Sequence, residues 1–386
     1  MEVLRGVRAS RVALKSVNVH YLLKVSGDRA ARKVLAGVAL CVTAVTPFAA
    51  RAQLPGAIPH SVKWPIRTRE QVDLWLHGFA MISGDSSTVP LFRRGYREMV
   101  SAARTKAGAV TDLDVNRDAL AKRLRENPTL VNAQFLVFSF ATWEELVAGV
   151  DTFEKADGDP KRAKTKESAA MIAALARIFP AKADRDFARM FTNSLQNEKD
   201  VFFHTWWVDE MRRRERTLAS VDAIWQSEMR PRLQGFMTHS EQADGELILS
   251  LAIEGEGRTV NDPRGRSQVT VGFPDSPERA MDAIYTFAHE IVGPLTGPAV
   301  DDNTTPAEKR SGLATTIGSY ALVRGGALVF AHLSPELTTG YERFYLRLAG
   351  ITAEGDPTAA FGQKFSIPAA MVESIARQVS ISFGGI

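Results

Sequence analysis

The sequence predicts a mainly α protein with a small β-sheet, an α+β fold, on three observations. From Arg69 onward apolar residues recur at helical spacing over most of the chain. Two segments depart from that texture: 247–253 is a continuous apolar run and 268–273 alternates, the two patterns of strands. The chain has 386 residues, 45% of them hydrophobic and 24% charged, which is ample core material with ordinary surface charge. The one cysteine, Cys41, excludes a disulfide scaffold and any cysteine-based zinc ribbon.

The first 52 residues read as an export leader. Arg29, Arg32 and Lys33 form a basic region, and 34–50 is an apolar run broken late by Pro47. Ala50-Arg51-Ala52 is the small-x-small pattern at which a signal peptidase cuts, placing cleavage after Ala52. The run is shorter than the roughly 20 residues of a membrane span. This implies an exported protein, periplasmic or secreted, with no stable transmembrane segment after cleavage; an uncleaved anchor is the alternative. The isoelectric point of about 9.1 invites a polyanion partner. Yet the leader holds nine of the 48 bases and two of the 44 acids, leaving 39 bases and 42 acids, a net charge of −3. A nucleic-acid partner therefore loses its support, and Cys41 goes with the leader.

Residues 53–65 contain proline, lack periodicity and read as a tether. A helical region follows over 66–245. Val72, Trp75, Phe79 and Ala80 make one 3.6-period face, and Leu120, Leu124 and Val131 another, interrupted at Pro128. Residues 132–150, with Phe135, Leu136, Phe138, Phe140, Trp143 and Leu146, predict a buried helix. A charged loop over 155–166 precedes a helix at 167–179 and a long helix or helix pair over 183–219. The basic run 212–216 reads as a solvated helix face rather than a polyanion site. After Gly245 come a buried strand (247–253), a loop marked by Gly255, Gly257, Asn261, Pro263 and Gly265, and a second strand (268–273). Ser276-Pro277-Glu278 has the chemistry of a helix start. That helix carries Met281, Ile284, Tyr285 and Ala288 and stops at Gly293-Pro294. The rest is helical, with 293–304 as the main irregular stretch.

The chemical lead is Ala288-His289-Glu290-Ile291-Val292-Gly293, on a helix that follows strand, loop and strand, with Arg310-Ser311-Gly312-Leu313-Ala314 downstream. On these residues 246–331 resembles the catalytic core of the gluzincins, the thermolysin-like and aminopeptidase-like zinc metallopeptidases. Their active-site helix carries H-E-x-x-H, and a second helix supplies a glutamate ligand. Two histidines four apart share a helix face, and the intervening glutamate polarises a zinc-bound water. The resemblance implies a zincin-like region over 246–386, zinc as cofactor, His289 as ligand and Glu290 as the water-activating base. It also implies a peptide aligned along the 268–273 strand by main-chain hydrogen bonds. This sequence departs from the pattern at two ligands: Gly293 stands where the second histidine belongs and Ser311 where the glutamate belongs. Catalytic zinc needs about three protein ligands, so the replacement candidates are Asp301, Asp302, Glu308 and His332. Arg324, alone in an apolar helix, calls for a carboxylate partner such as Glu290 or Asp302.

Three readings of His289-Glu290 stand at this point: a chance pair satisfied locally, a degenerate pseudo-peptidase with a peptide-binding cleft, or an active hydrolase with an unusual metal set. From another class comes a non-catalytic envelope protein, binding or structural, with no metal site; its partner would be a peptide or protein. His204, near Trp206, Trp207, Asp209 and Glu210, reads as core or interface, His77 as a packed helix residue and His239 as a loop residue. Neither a G-x-S-x-G elbow nor a phosphate-binding G-x-x-x-x-G-K-[ST] loop occurs.

Overall fold

The structure, a computed structural model, describes residues 63–84, 87–261 and 266–384. The leader and the tether up to residue 62 fall outside them. The tether's last residues belong to the fold: Trp64 is fully buried, edge-on to Trp225 and Phe287 at 6.3 and 5.2 Å. Its carbonyl accepts the Trp225 indole N–H at 2.8 Å.

One four-stranded mixed sheet organises the molecule. Strands β1 (Ile66–Arg67), β2 (Gly245–Ser250), β3 (Arg258–Asn261) and β4 (Ser267–Gly272) lie in the order β1-β2-β4-β3. The first pairs are parallel, and β3 runs antiparallel to β4, with Arg258 opposite Thr270 and Asn261 opposite Ser267. Every residue of β2 is buried, so both faces of the sheet are covered, which is why the strand reads as a continuous apolar run. The loop expected over 255–265 contains β3: its glycines flank a four-residue edge strand too short and polar to leave a strand pattern. Correcting the reading of 268–273 as a substrate-aligning strand, β4 is interior, with its main chain paired on both sides.

The helical region precedes β2. It comprises α1 (Glu70–Ile82), α2 (Tyr96–Ala107), α3 (Asp112–Glu126), α4 (Trp143–Lys155), α5 (Lys166–Ile178), α6 (Lys182–Glu198), α7 (His204–Arg213), α8 (Glu215–Ile224) and α9 (Arg230–His239). A π-turn, Lys199–Phe203, joins α6 to α7 and turns Phe202 and Phe203 into the core; another, Trp225–Met229, joins α8 to α9. The expected helix over 132–150 is two elements. A 3-10 segment, Pro128–Ser139, starts where the Asn127 side chain accepts the Thr129 N–H. The backbone then extends through Phe140 and Thr142, and the Thr142 hydroxyl caps α4 by accepting the Glu145 N–H at 3.2 Å. The basic run at 212–216 is largely tied into ion pairs: Arg212 with Asp209, Arg213 with Glu210, and Arg214 with Glu210 and Asp275.

After β4 come α10 (Met281–Ile291), α11 (Gly293–Asp302), α12 (Pro306–Ser311), α13 (Leu313–Ala331), α14 (Pro335–Leu348), α15 (Thr358–Lys364) and α16 (Ala369–Ser382). The stretch expected to be irregular, 293–304, is mostly α11. Pro294 sits in its first turn, where a missing N–H costs nothing, and Pro298 is carried inside a short helix. Among the described residues α13 is the one helix long and apolar enough to cross a membrane. It packs instead against α10, α11, α14 and α16, and Gly326 lets α14 come close: a Cβ there would lie 2.1 Å from the Tyr341 hydroxyl.

Candidate functional site

His289 and Glu290 end α10 on the side where it meets the sheet edge and α14. His289 is 1% exposed. Its ring stacks on Tyr345 of α14, with centroids 5.7 Å apart and planes 23° apart. One turn earlier on each helix, Tyr285 meets Tyr341 edge-on at 5.9 Å, so two pairs of rings four residues apart interlock. The Tyr345 hydroxyl donates to the Gly255 carbonyl at 3.0 Å, fastening the loop before β3 to α14.

Glu290 turns toward β3. One carboxylate oxygen accepts the Gly257 N–H at 3.0 Å and lies 3.1 Å from His289 Nδ1; the other accepts the Thr259 hydroxyl at 2.8 Å. The fit depends on glycine at 257, because a Cβ there would stand 2.5 Å from the Thr270 carbonyl oxygen and 2.6 Å from Glu290 Cγ. Burial pushes the Glu290 carboxyl up, but His289, the charge of Arg258 and the Thr259 hydroxyl outweigh it and hold the group below its ordinary range. An ionised Glu290 can only accept, so His289 Nδ1 is the donor in that contact and the ring's other nitrogen is Nε2. That nitrogen has no partner among the described residues.

A carboxylate holding one ring nitrogen while the other is bare is how metal-binding histidines are oriented. The remaining donor set is missing, however. Asp301 pairs with Lys309 at 2.9 Å, near the end of α11, and Asp302 beside it is exposed. Glu308 is engaged in a capping box with Thr305 at the start of α12. His332 is exposed and packs on Phe383. Ser311 donates to the Glu308 carbonyl on the surface, and Gly293 only opens α11. Among the described residues no three His, Cys, Asp or Glu side chains form a group that could hold a metal ion. His289 and Glu290 are therefore brought together with each other and with none of the replacement ligands, and these residues do not fit a catalytic zinc.

Arg324 also departs from expectation. Glu290 is satisfied elsewhere, and among the described residues Arg324 makes no ion pair with Asp302; its guanidinium lies over the Phe361 ring of α15 at 5.4 Å. The edge of the sheet is covered in part: Arg258 of β3 donates to Gln134 at 3.0 and 3.2 Å and lies over Phe135, both on the 3-10 segment. A cavity of about 200 Å³ lies elsewhere, lined by residues such as Glu70, Gln71, Trp143 and Lys199, and reaches neither His289 nor Glu290.

A second constellation of titratable groups lies between α1, α2, α3 and α6. Glu198, 0% exposed, accepts from Arg104 at 2.7 and 3.1 Å and from the Thr111 hydroxyl at 2.5 Å, and its Oε1 lies 3.1 Å from His77 Nε2. His77 Nδ1 faces the Tyr96 hydroxyl at 3.1 Å, and Arg104 also pairs with Asp114. Apart from Asp114, which is partly exposed, its members are sealed from solvent, and they are satisfied by one another, the signature of a structural network. Nearby Asp73 links α1 to the end of β2, accepting the Leu251 N–H at 3.0 Å and the Trp207 indole N–H at 2.7 Å. His77 reads in the sequence only as a packed helix residue. Against expectation, His204 is exposed rather than core, facing Glu70 of α1 at 2.9 Å, and His239 ends α9 rather than standing in a loop, with its ring against the Gly235 carbonyl.

Comparison of the chain with protein-family models, with curated proteins and with solved structures gave no match in any of the three.

Proposed function

We propose that this chain is a non-catalytic protein on a degenerate, metallopeptidase-like scaffold, in which His289 and Glu290 act as a structural fastening. The observation that carries this reading is the commitment of both Glu290 oxygens to Gly257, Thr259 and His289. A water-activating base needs an oxygen available to a reacting water, and here the oxygens are taken by Gly257 before β3 and by Thr259 within it. The element order favours the resemblance: an antiparallel edge strand, an interior strand and then the His-Glu helix follow one another in the chain. The protein then acts by holding a peptide or protein partner rather than by cleaving it.

Peptide hydrolysis tests the reading. Wild type and Glu290→Gln are incubated with unfolded casein and added zinc, and new amino termini are measured. Both should match buffer alone; hydrolysis by wild type that Glu290→Gln abolishes refutes the proposal. Export belongs to the same reading and rests on the basic-apolar-small pattern before Gln53. Amino-terminal sequencing of the protein from cells should begin at Gln53, and a mature protein that retains residues 29–52 contradicts it.

A further inference from the structure

Arg324 is the one charged side chain in α13, LATTIGSYALVRGGALVFA. It is half-buried, and its guanidinium rests on the face of Phe361, itself fully buried. The neighbouring Gly362 lets the guanidinium lie close to the backbone of α15: a Cβ added there would meet Arg324 Nη1 at 3.4 Å. Arg324 makes no hydrogen bond or ion pair with any described residue. A carboxyl that feels its charge, Glu342 of α14, is 5% exposed and accepts the Thr358 hydroxyl at 3.0 Å. A guanidinium carries five N–H donors in a planar fork that matches an oxyanion in bidentate geometry, and a ring beneath it holds the plane in place. Placing such a cation in an apolar helix, seated on an aromatic ring and given no acceptor, leaves its recognition capacity unspent.

We propose that Arg324, seated on Phe361 at the junction of α13, α14 and α15, binds the carboxylate of a ligand. The charges around it choose the class. Glu342 and Asp356 both accept the Thr358 hydroxyl at the start of α15, so acidic groups already stand on this side of Arg324. A second charge on the ligand would be repelled, which favours a monoanionic carboxylate over a phosphate dianion. The carboxylate is that of a small organic acid or of a polypeptide C-terminus.

The test is a titration of the 15N-labelled full chain, following the Arg324 Nε–H resonance at constant ionic strength held with chloride. Sodium acetate should shift it saturably, and inorganic phosphate should do so at least several-fold more weakly. Arg324→Lys, which keeps the charge but loses the fork, should weaken acetate binding about tenfold as read from other resonances of the site. Arg343→Gln, whose arginine is spent on the Gly355 carbonyl, should leave acetate binding unchanged. A peptide with a free C-terminus binding much more tightly than both acetate and its C-terminal amide identifies a polypeptide source, and equal affinity for peptide and acetate identifies a small acid. The proposal is overturned if acetate shifts Arg324 no more than chloride does, or if Arg324→Lys binds acetate as wild type does.

Discussion

Replacing Glu198 with alanine is expected to cost about 3–5 kcal/mol, the usual effect of removing one partner from a buried charged network. The carboxylate is fully buried and takes hydrogen bonds from Arg104 and Thr111, with His77 against it. Without it Arg104 keeps the Asp114 pair and a long 3.4 Å contact to His77 Nε2, and its buried Nε–H is left without an acceptor. Equilibrium urea unfolding reads the loss, and a change under about 1 kcal/mol would show the network to be dispensable. The pH dependence follows from the same groups. Burial holds His77 below its ordinary 6.5, so its contribution is intact above that pH and is lost as pH falls. Burial alone would push the Glu198 carboxyl up, but His77, Arg104 and Thr111 hold it below 4.5; its contribution is present above that pH and lost on further acidification. Asp73 runs the other way: burial raises it to about 6, so its contribution is present below 3.8 and lost as pH rises through about 6. Acidifying from about pH 7.5 to about 5.5 should therefore destabilise His77→Gln less than wild type, since both share the Asp73 effect and only wild type carries the His77 one.

Replacing Glu290 with alanine is expected to cost about 3 kcal/mol, through unsatisfied partners rather than lost apolar contact. The Gly257 N–H and the His289 Nδ1–H would lose their acceptor, and each buried orphan donor costs about 1–3 kcal/mol. The Thr259 hydroxyl also loses its partner. Urea unfolding again gives the number. A residue kept for catalysis, poised against a reacting water, would show little or no loss, so a stable Glu290→Ala protein contradicts the fastening role.

What could be read from sequence alone divides along physical lines. Segments whose own pattern decides them were legible: α1 by its buried face, α5 by its period, and β2 by its uninterrupted apolar run. Where a few polar residues or a proline mask the pattern, the reading fails. β3 is four half-buried residues among glycines, and α11 carries Pro294 and Pro298. The 3-10 segment was missed because its phenylalanines give apolar content without fixing the turn type. At the site, His289 and Glu290 are adjacent and stand out as a motif. Their partners Gly257, Thr259 and Tyr345 lie tens of residues away on other elements, so nothing local reveals how the pair is used. The Glu198 network is the extreme case: its link to His77 spans 121 residues, and no spacing rule joins them.

On the proposed function, the His289-Glu290 pair fastens the fold and holds no metal. Zinc uptake tests it most directly. The full-length protein, incubated with excess zinc and passed through gel filtration, is analysed for bound metal beside His289→Ala. Less than about a tenth of an equivalent in both is predicted, since one histidine falls short of the roughly three ligands that zinc needs. About one equivalent in wild type, lost in His289→Ala, would contradict it.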